Sequence, residues 1–408
     1  MKCRHCQTKL TQSLIDLATS PPSNAYLTEK MLHTPEKYFP LRVLICNECW
    51  LAQTEDYAGA DELFSSEYAY FSSFSSTWLK HAEQYVTGMT NRFELNKYSN
   101  VVEVAANDGY LLQYVKLQGI PCIGIEPTAS TAEAARAKGI DIIESFFGVR
   151  LAHELVEQGK NADLTVANNV LAHVPDINDF VEGFCILLKP DGVATFEFPH
   201  LLRLITENQF DTIYHEHYSY LSLIAVKQIF ESNGLSVFDV EELPTHGGSL
   251  RVYTQRKDTG KYKLSKNVDV LLKRETDAEM NSTEFYDGFQ DKANKVKNDL
   301  LSFLIEAQRN GKSVAGYGAA AKGNTLLNYA GVRSELLPYV VDLNPAKQDK
   351  FLPGSRIPIL AEEHLKQNKP DYVVILPWNL CDEVMTQLNY IREWGGQFVT
   401  AIPSLKVS

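Results

Sequence analysis

The 408-residue chain is 44% hydrophobic and 22% charged, the balance of a globular protein long enough for two or three domains, each with a core of its own. A formal net charge of −12 argues against general nucleic-acid binding. No apolar run reaches the roughly 18 residues of a membrane-spanning helix, and MKCRHCQTKL has no apolar signal region, so the expected compartment is the cytoplasm.

Four of the 7 cysteines form two CxxC pairs, Cys3 with Cys6 and Cys46 with Cys49. Two such turns separated by about forty residues are the spacing of a tetrahedral four-thiolate zinc site. A disulfide framework does not suit a reducing compartment, and a redox CxxC has no need of a second copy. Four thiolates close the coordination sphere, so the expected role is structural, locking a loop-rich module that contains Pro21-Pro22. Cys122, Cys185 and Cys381 stand alone among apolar neighbours and read as core residues. Next, EYAYFSSFSS (Glu67 to Ser76) is either a capping segment or a lid over a neighbouring site, with Tyr68 and Tyr70 as its candidates. A helix-like stretch, Trp78 to Thr90, follows.

Val101 to Ala105 reads as a short buried strand, followed by the small-residue turn Ala106-Asn107-Asp108-Gly109 and the apolar helix start Tyr110-Leu111-Leu112. Strand, tight turn and helix open a nucleotide-binding α/β domain. About twenty residues on, a second strand ends in Glu126, an acid suited to accept from two ribose hydroxyls. A helix from Thr131 to Lys138 and strands at Asp141 to Ile143 and Ala162 to Ala167 continue the alternation. The segment Asn168-Asn169-Val170-Leu171-Ala172-His173-Val174-Pro175-Asp176 comes next. A helix to Leu188, a turn at Lys189-Pro190-Asp191-Gly192 and a fifth strand, Val193 to Phe198, complete the parallel sheet. A helix from Leu223 to Asn233 and strands Ser236 to Glu241 and Ser249 to Gln255 add a final hairpin of the kind that marks methyltransferase sheets. The first turn lacks GxGxxG, which disfavours a dinucleotide.

Between the fifth strand and that helix lies DTIYHEHYSY, Asp211 to Tyr220, with three tyrosines, two histidines and a glutamate. No helix or strand period explains it, because the polar groups fall on every face. Histidine titrates near neutral pH and tyrosine can donate to a developing oxyanion, the equipment for moving a proton beside a carbonyl. After a connector of one or two helices over Asp277 to Arg309, SVAGYGAAAKGN (Ser313 to Asn324) repeats the strand, glycine turn and helix. Strands at Leu337 to Val341 and Tyr372 to Leu376 make a second, smaller Rossmann-like unit. The turn's amides and Lys322 suit a diphosphate, with Asn324 beside them.

In order along the chain, the two CxxC pairs, EVAANDG, GIEP, NNVLAHVPD, FEFP, YHEHYSY, THGGSLRVY and GYGAAAKGN resemble the zinc-containing sugar C-methyltransferases. These act on nucleotide-linked 4-keto-deoxysugars, the tetronitrose-pathway enzymes being the best-known kind. The resemblance covers nearly the whole chain and implies an α/β architecture of three parts. A zinc-binding domain spans 1–66, a class I methyltransferase domain 67–257, and a Rossmann-like domain with a helical connector 258–408. It implies S-adenosylmethionine against Glu103, Ala105, Asn107, Gly109, Tyr110, Leu111, Glu126, Pro127, Asn168 and Asn169. Ala105-Ala106 departs from the glycine that many methyltransferases carry there, which narrows the turn.

The resemblance further implies His217 as general base, Tyr214 and Glu216 on the sugar, His173 near the reacting carbonyl, and a lid tyrosine matching Tyr68 or Tyr70. His215, His246, Gly247, Arg251, Tyr317, Lys322 and Asn324 are the remaining candidates for contact with a sugar nucleotide, although Arg251, on a strand, could simply pair with an acid. The expected enzyme is a monomer that methylates carbon 3 of a keto-sugar through an enolate, with no catalytic metal. Two other readings stay open, an O- or N-methyltransferase of a similar small molecule and a non-catalytic nucleotide-binding scaffold.

Overall fold

A computed structural model describes residues 1–57 and 71–408; the candidates Tyr68 and Tyr70 fall outside them. The chain opens on the first cysteine pair and continues into antiparallel strands Gln12–Ser20 (β1), Phe39–Ile45 (β2) and Ala52–Thr54 (β3). The second cysteine pair occupies the turn between β2 and β3. After a helix at Ser76–Phe93 comes the central α/β run: Val101–Val104 (β4), Cys122–Ile125 (β5), Asp141–Ile143 (β6), Ala162–Asn168 (β7) and Leu188–Pro199 (β8). Then follow Ser219–Tyr220 (β9), Leu235–Leu243 (β10) and Ser249–Arg256 (β11).

Apart from β9, these strands form one sheet in the order β10-β11-β8-β7-β4-β5-β6. Strands β4 to β8 pair in parallel, while β11 is antiparallel to both β8 and β10. This is the class I methyltransferase sheet with its closing hairpin. The chain leaves β4 towards β5 and β6, then returns to the other side of β4 for β7. That reversal opens a crevice at the carboxyl ends of β4 and β7. Short β9 leaves this sheet and pairs with β3, so the zinc-bearing sheet reads β1-β2-β3-β9.

The third unit has Val314–Tyr317 (β12), Val340–Val341 (β13), Ile359–Leu360 (β14), Tyr372–Ile375 (β15), Gln397–Thr400 (β16) and Lys406–Val407 (β17). They are ordered β14-β13-β12-β15-β16-β17, with only β17 antiparallel. Its own reversal point lies between β12 and β15, where the glycine turn meets Pro377-Trp378-Asn379.

Three readings of local structure are corrected. Lys189-Pro190-Asp191-Gly192 is not a turn between elements but an irregularity within one long strand, where the pairing slips between Ala162↔Leu188 and Leu164↔Val193. Gly192 is required there, because a Cβ would stand 2.7 Å from the Ala162 carbonyl oxygen. Of Leu337 to Val341 only Val340 and Val341 pair as strand, Pro338 having no N–H to offer a ladder. The helical connector comprises Lys266–Asp277 and Phe289–Arg309, so most of the stretch between Asp277 and Phe289 is not helical.

Two buried clusters cross between the units, beside one confined to the central unit with its preceding helix and one confined to the C-terminal unit. Leu14, Leu17 and Val43 of the first sheet share one buried cluster with Leu201, Ile205 and Phe210, with Val296, Leu300 and Leu304 of the long connector helix, and with Leu326 and Leu327. Cys3, Cys46, Cys49 and Leu51 belong to a second cluster with Phe180, Phe184 and Phe196 beneath the central sheet. Burial of this shared apolar surface fixes the parts against one another.

Candidate active site

The two cysteine pairs sit in matching turns. Gln7 N–H donates to the Cys3 carbonyl (3.1 Å) and Trp50 N–H to the Cys46 carbonyl (2.9 Å), with Gln7 and Trp50 at φ of 62° and 60°. The four sulfurs lie within 4.8 Å of one another, with Cys3–Cys49 at 3.5 Å, Cys6–Cys46 at 3.4 Å and Cys6–Cys49 at 3.7 Å. A tetrahedral zinc with Zn–S near 2.3 Å spaces its sulfurs about 3.8 Å apart, so the donor set fits the ion. A disulfide, near 2.05 Å, is not formed. Gln53 Nε2 donates to the Cys3 sulfur (3.4 Å), a bond that steadies a thiolate.

At the crevice, Ala105, Asn107 and Gly109 all adopt positive φ (58°, 49° and 74°). At Gly109 a Cβ would be strained by that φ and would stand 2.3 Å from Ile140 Cδ1, which would have to move. Ala105 accepts a conformation that glycine takes at less cost. Glu126 spans the turns after β4 and β5: its Oε2 accepts from Asn107 N–H and its Oε1 from Thr128 N–H, both at 2.9 Å. Glu103 is fully buried with neither carboxylate oxygen hydrogen-bonded, and burial holds its carboxyl well above the ordinary carboxylate range. The Asn168 side-chain amide, at the end of β7, is likewise unpaired at both atoms. Orphaned buried polar atoms at the ends of β4 and β7 are what a polar ligand in the crevice would satisfy.

A continuous set of contacts runs from this crevice to the His-rich loop. Tyr110 stacks on Trp78 (5.9 Å between ring centroids), and Trp78 lies 5.3 Å from His246. His246 Nε2 and Asn169 Nδ2 are 3.3 Å apart. A Cβ on Gly247 would stand 2.5 Å from Trp378 Cη2, so only glycine admits the indole there. The Lys322 ammonium sits over the Trp378 ring (4.6 Å) and donates to Asn379 Oδ1 (2.6 Å). Trp378 Nε1–H donates to Asp211 Oδ2 (2.8 Å), at the head of the loop.

Within the loop, His217 packs 4.0 Å from Tyr214 and 4.6 Å from His173 between centroids. His217 Nδ1 is 3.0 Å from the Thr212 carbonyl, and His173 Nδ1 is 2.7 Å from the Glu216 carbonyl. A carbonyl only accepts, so both rings carry the proton on Nδ1, which leaves Nε2 of His217 with a lone pair. Burial, and then the neighbouring His173, hold His217 well below histidine's ordinary range, and burial takes His173 down to about 4. His246 is also lowered to about 4, by burial and then by Lys322. All three rings are therefore neutral at pH 7.

The zinc-bearing unit reaches this loop directly. Asn24 donates to Glu216 Oε1 from its backbone (3.3 Å) and its amide (3.1 Å), while Glu216 Oε2 is buried and unpaired. Thr54 Oγ1 donates to the His217 carbonyl (3.0 Å), and Arg4 donates to the carbonyls of Thr54 (2.8 Å) and Tyr218 (3.3 Å).

Four candidates have a polar group engaged elsewhere, with His215 Nδ1 and Asn324 Oδ1 left buried and unpaired. His215 Nε2 is 3.2 Å from the Pro40 carbonyl, and Tyr317 donates to Gln387 Oε1 (3.3 Å). Asn324 Nδ2 donates to the Ser23 carbonyl (2.6 Å). Arg251 is buried between Glu197 (2.7 Å) and Glu241 (2.9 Å), and Glu197 also pairs with His81 (2.8 Å). Sequence reasoning did not single out Asn24, Asp211 or Trp378 as site residues. Their partners are 167 to 192 positions away, and only an orphan charge in a buried loop could have hinted at them.

Three family models tile the chain: a zinc binding domain over 3–64, a methyltransferase domain over 78–240, and a C-methyltransferase C-terminal domain over 244–403. The chain is 32% identical over 406 residues to C-methyltransferase NovU of Streptomyces niveus, spanning 100% of this chain and 96% of that one. It is 27% identical over 152 residues to the human mitochondrial ubiquinone biosynthesis O-methyltransferase, covering 34% of this chain and 41% of that one. Among solved structures, magnesium protoporphyrin IX methyltransferase from Synechocystis PCC 6803 aligns at 14% identity and a TM-score of 0.36, over 44% of this chain and 83% of that one. The PH0226 protein of Pyrococcus horikoshii OT3 aligns at 12% identity and a TM-score of 0.37, over 46% and 95%. With a full-length relative and matched models for all three parts, the chain belongs to the C-methyltransferase family and is an S-adenosylmethionine-dependent enzyme with a four-cysteine zinc module.

Proposed function

We propose that the enzyme methylates carbon 3 of a nucleotide-linked 4-keto-6-deoxyhexose, with His217 removing the proton beside the ketone. The observation that carries this reading is the His217 ring itself: neutral, buried, protonated on Nδ1 by its bond to the Thr212 carbonyl, with Nε2 left as the basic atom. O- or N-methylation requires no carbon-bound proton to be removed.

In this reading S-adenosylmethionine occupies the crevice after β4, β5 and β7. Glu103 and Asn168 have unmet polar atoms there, and Glu126 keeps lone pairs for ribose hydroxyls. The cofactor supplies an electrophilic methyl on a sulfonium whose departure leaves a neutral thioether. The protein's share is alignment and charge. His217 Nε2 takes the α-proton, Tyr214 packs on that ring with a hydroxyl able to donate to the enolate oxygen, and His173, its proton held on Nδ1 by the Glu216 carbonyl, seats the ring from the other side. Glu216, held by Asn24, offers Oε2 to a sugar hydroxyl. Lys322, with the first amides of the helix Ala321–Ala330, meets the diphosphate, the amides of Gly318, Ala319 and Ala320 already donating to Val341, Asp342 and Gly318. Lys322 is half-buried, and desolvation pulls its pKa below the ordinary lysine range, against which Asp211 acts, so an anion beside it would favour the charged form.

The test is a mass-shift assay of keto-sugar nucleotides with the methyl donor, together with solvent deuterium exchange at carbon 3 in its absence. His217→Ala should fold and bind S-adenosylmethionine while losing both exchange and transfer, by on the order of 100-fold or more. Full transfer in that variant would remove His217 as the base, and transfer to oxygen or nitrogen would remove the sugar-carbon reading.

A further inference from the structure

Three successive residues leading from the 3₁₀ turn Phe210–Thr212 into YHEH are held from different sides. The Asp211 side chain, fully buried, accepts from Trp378 Nε1–H (2.8 Å). The Thr212 carbonyl accepts from His217 Nδ1–H (3.0 Å). The Ile213 carbonyl accepts from Thr325 Oγ1–H (2.8 Å), on the helix Ala321–Ala330. The two outer bonds both come from the C-terminal unit, and between them stands the one carbonyl that decides which nitrogen of His217 carries the proton. Trp378 is itself seated, with its indole against Gly247, where no side chain fits, and its ring face under the Lys322 ammonium.

We infer that Trp378 and Thr325 form a latch between the C-terminal unit and the catalytic loop, acting through Asp211 and Ile213 as positioning residues that keep the proton of His217 on Nδ1. An imidazole in water prefers its proton on Nε2, the arrangement that would leave no base facing the substrate. Fixing the Thr212 carbonyl on both sides reverses that preference. Breaking either outer bond frees the turn's peptide planes to rotate and releases the tautomer. The inference rests on His217 being the base, but the tautomer can be read in the resting enzyme without any sugar.

The experiment uses the full-length enzyme labelled with ¹⁵N in its histidine rings, with the His217 signal identified by its loss in His217→Gln. Wild type should show His217 protonated on Nδ1. Trp378→Phe deletes the N–H donor and keeps the ring face for Lys322. Thr325→Val is nearly isosteric and deletes the other donor without touching the indole. Each should move His217 towards protonation on Nε2 and lower kcat by about tenfold, the effect of one lost hydrogen bond of roughly 1.4 kcal/mol, with S-adenosylmethionine affinity unchanged. Asp211→Asn retains an oxygen to accept the indole N–H and should keep the wild-type tautomer. The latch is overturned if both Trp378→Phe and Thr325→Val keep the proton on Nδ1, whatever their activity. It is also overturned if Asp211→Asn shifts the tautomer as far as Trp378→Phe, since charge and not the hydrogen bond would then be responsible. If the sugar nucleotide proves to be the wrong substrate, the tautomer result stands.

Discussion

Asp211 is fully buried with one oxygen on the Trp378 indole and the other unpaired, and burial raises its carboxyl to about 7, against which Lys322 pulls. The same group in the unfolded chain titrates at 3.8. A folded-state value above the unfolded one means that Asp211 supports the fold fully below the unfolded pKa. That support is lost as pH rises through about 7. Asp211→Asn has no such loss. Urea unfolding of the two proteins should show the variant gaining on wild type by about 2 to 3 kcal/mol between pH 5 and pH 8, an upper figure from roughly two units at about 1.4 kcal/mol each. A constant difference across that range would mean that the carboxyl ionises freely in the fold. Natural retention of a costly buried acid is understandable if it holds Trp378, as neighbouring groups do in other active sites.

The helix Leu223–Ser232, which follows the catalytic loop, is capped in two ways. Ser222 accepts from Ala225 N–H (3.2 Å), and Glu275, from the connector helix, accepts from Leu223 and Ile224 N–H (2.7 Å each) as well as lying 2.7 Å from His200 Nε2. Glu275 has no exposed surface, so Glu275→Ala would strand two backbone donors and an imidazole. A loss of about 3 kcal/mol or more in chemical denaturation is expected, and a change under 1 kcal/mol would mean that water replaces the carboxylate. This cap was not legible in the sequence, where Glu275 falls before the connector expected over Asp277 to Arg309, and the heavy charge of its neighbours hides one acid turned inward. The α/β alternation was legible, because strand, small-residue turn and helix recur with local chemistry: Gly109 and Gly124 sit where a Cβ would meet Ile140 and Ile142 at 2.3 Å. The Lys-Pro-Asp-Gly sequence at 189–192 misleads because a slipped register needs the same residues as a turn. His217 and its tyrosine neighbour were legible as a cluster that no period explains. Their anchors Asn24, Asp211 and Trp378 were not, since they join segments that only the packing of three units brings together.

The zinc-bearing sheet ends on β9, the pair of residues directly after the YHEHY run, and Thr54 of β3 bonds to the His217 carbonyl. The cysteine turns that hold β2 and β3 together are therefore two strands from the base. One zinc per chain is expected by metal analysis, and Cys49→Ser should lower both metal content and melting temperature, the latter by several degrees. Retention of full metal by that variant would mean that the four sulfurs are not the ligands. By contrast, the crevice at the ends of β4 and β7 is shaped locally by Gly109 and by Glu126, which bridges the amides of Asn107 and Thr128, while the cysteines pack only against the far side of the sheet's buried cluster. Zinc starvation should then uncouple two assays that ordinarily move together: the depleted enzyme would still retain methyl donor on a filter, yet would turn over no acceptor. Trace-metal supply during expression thus becomes a hidden variable in any measured specific activity.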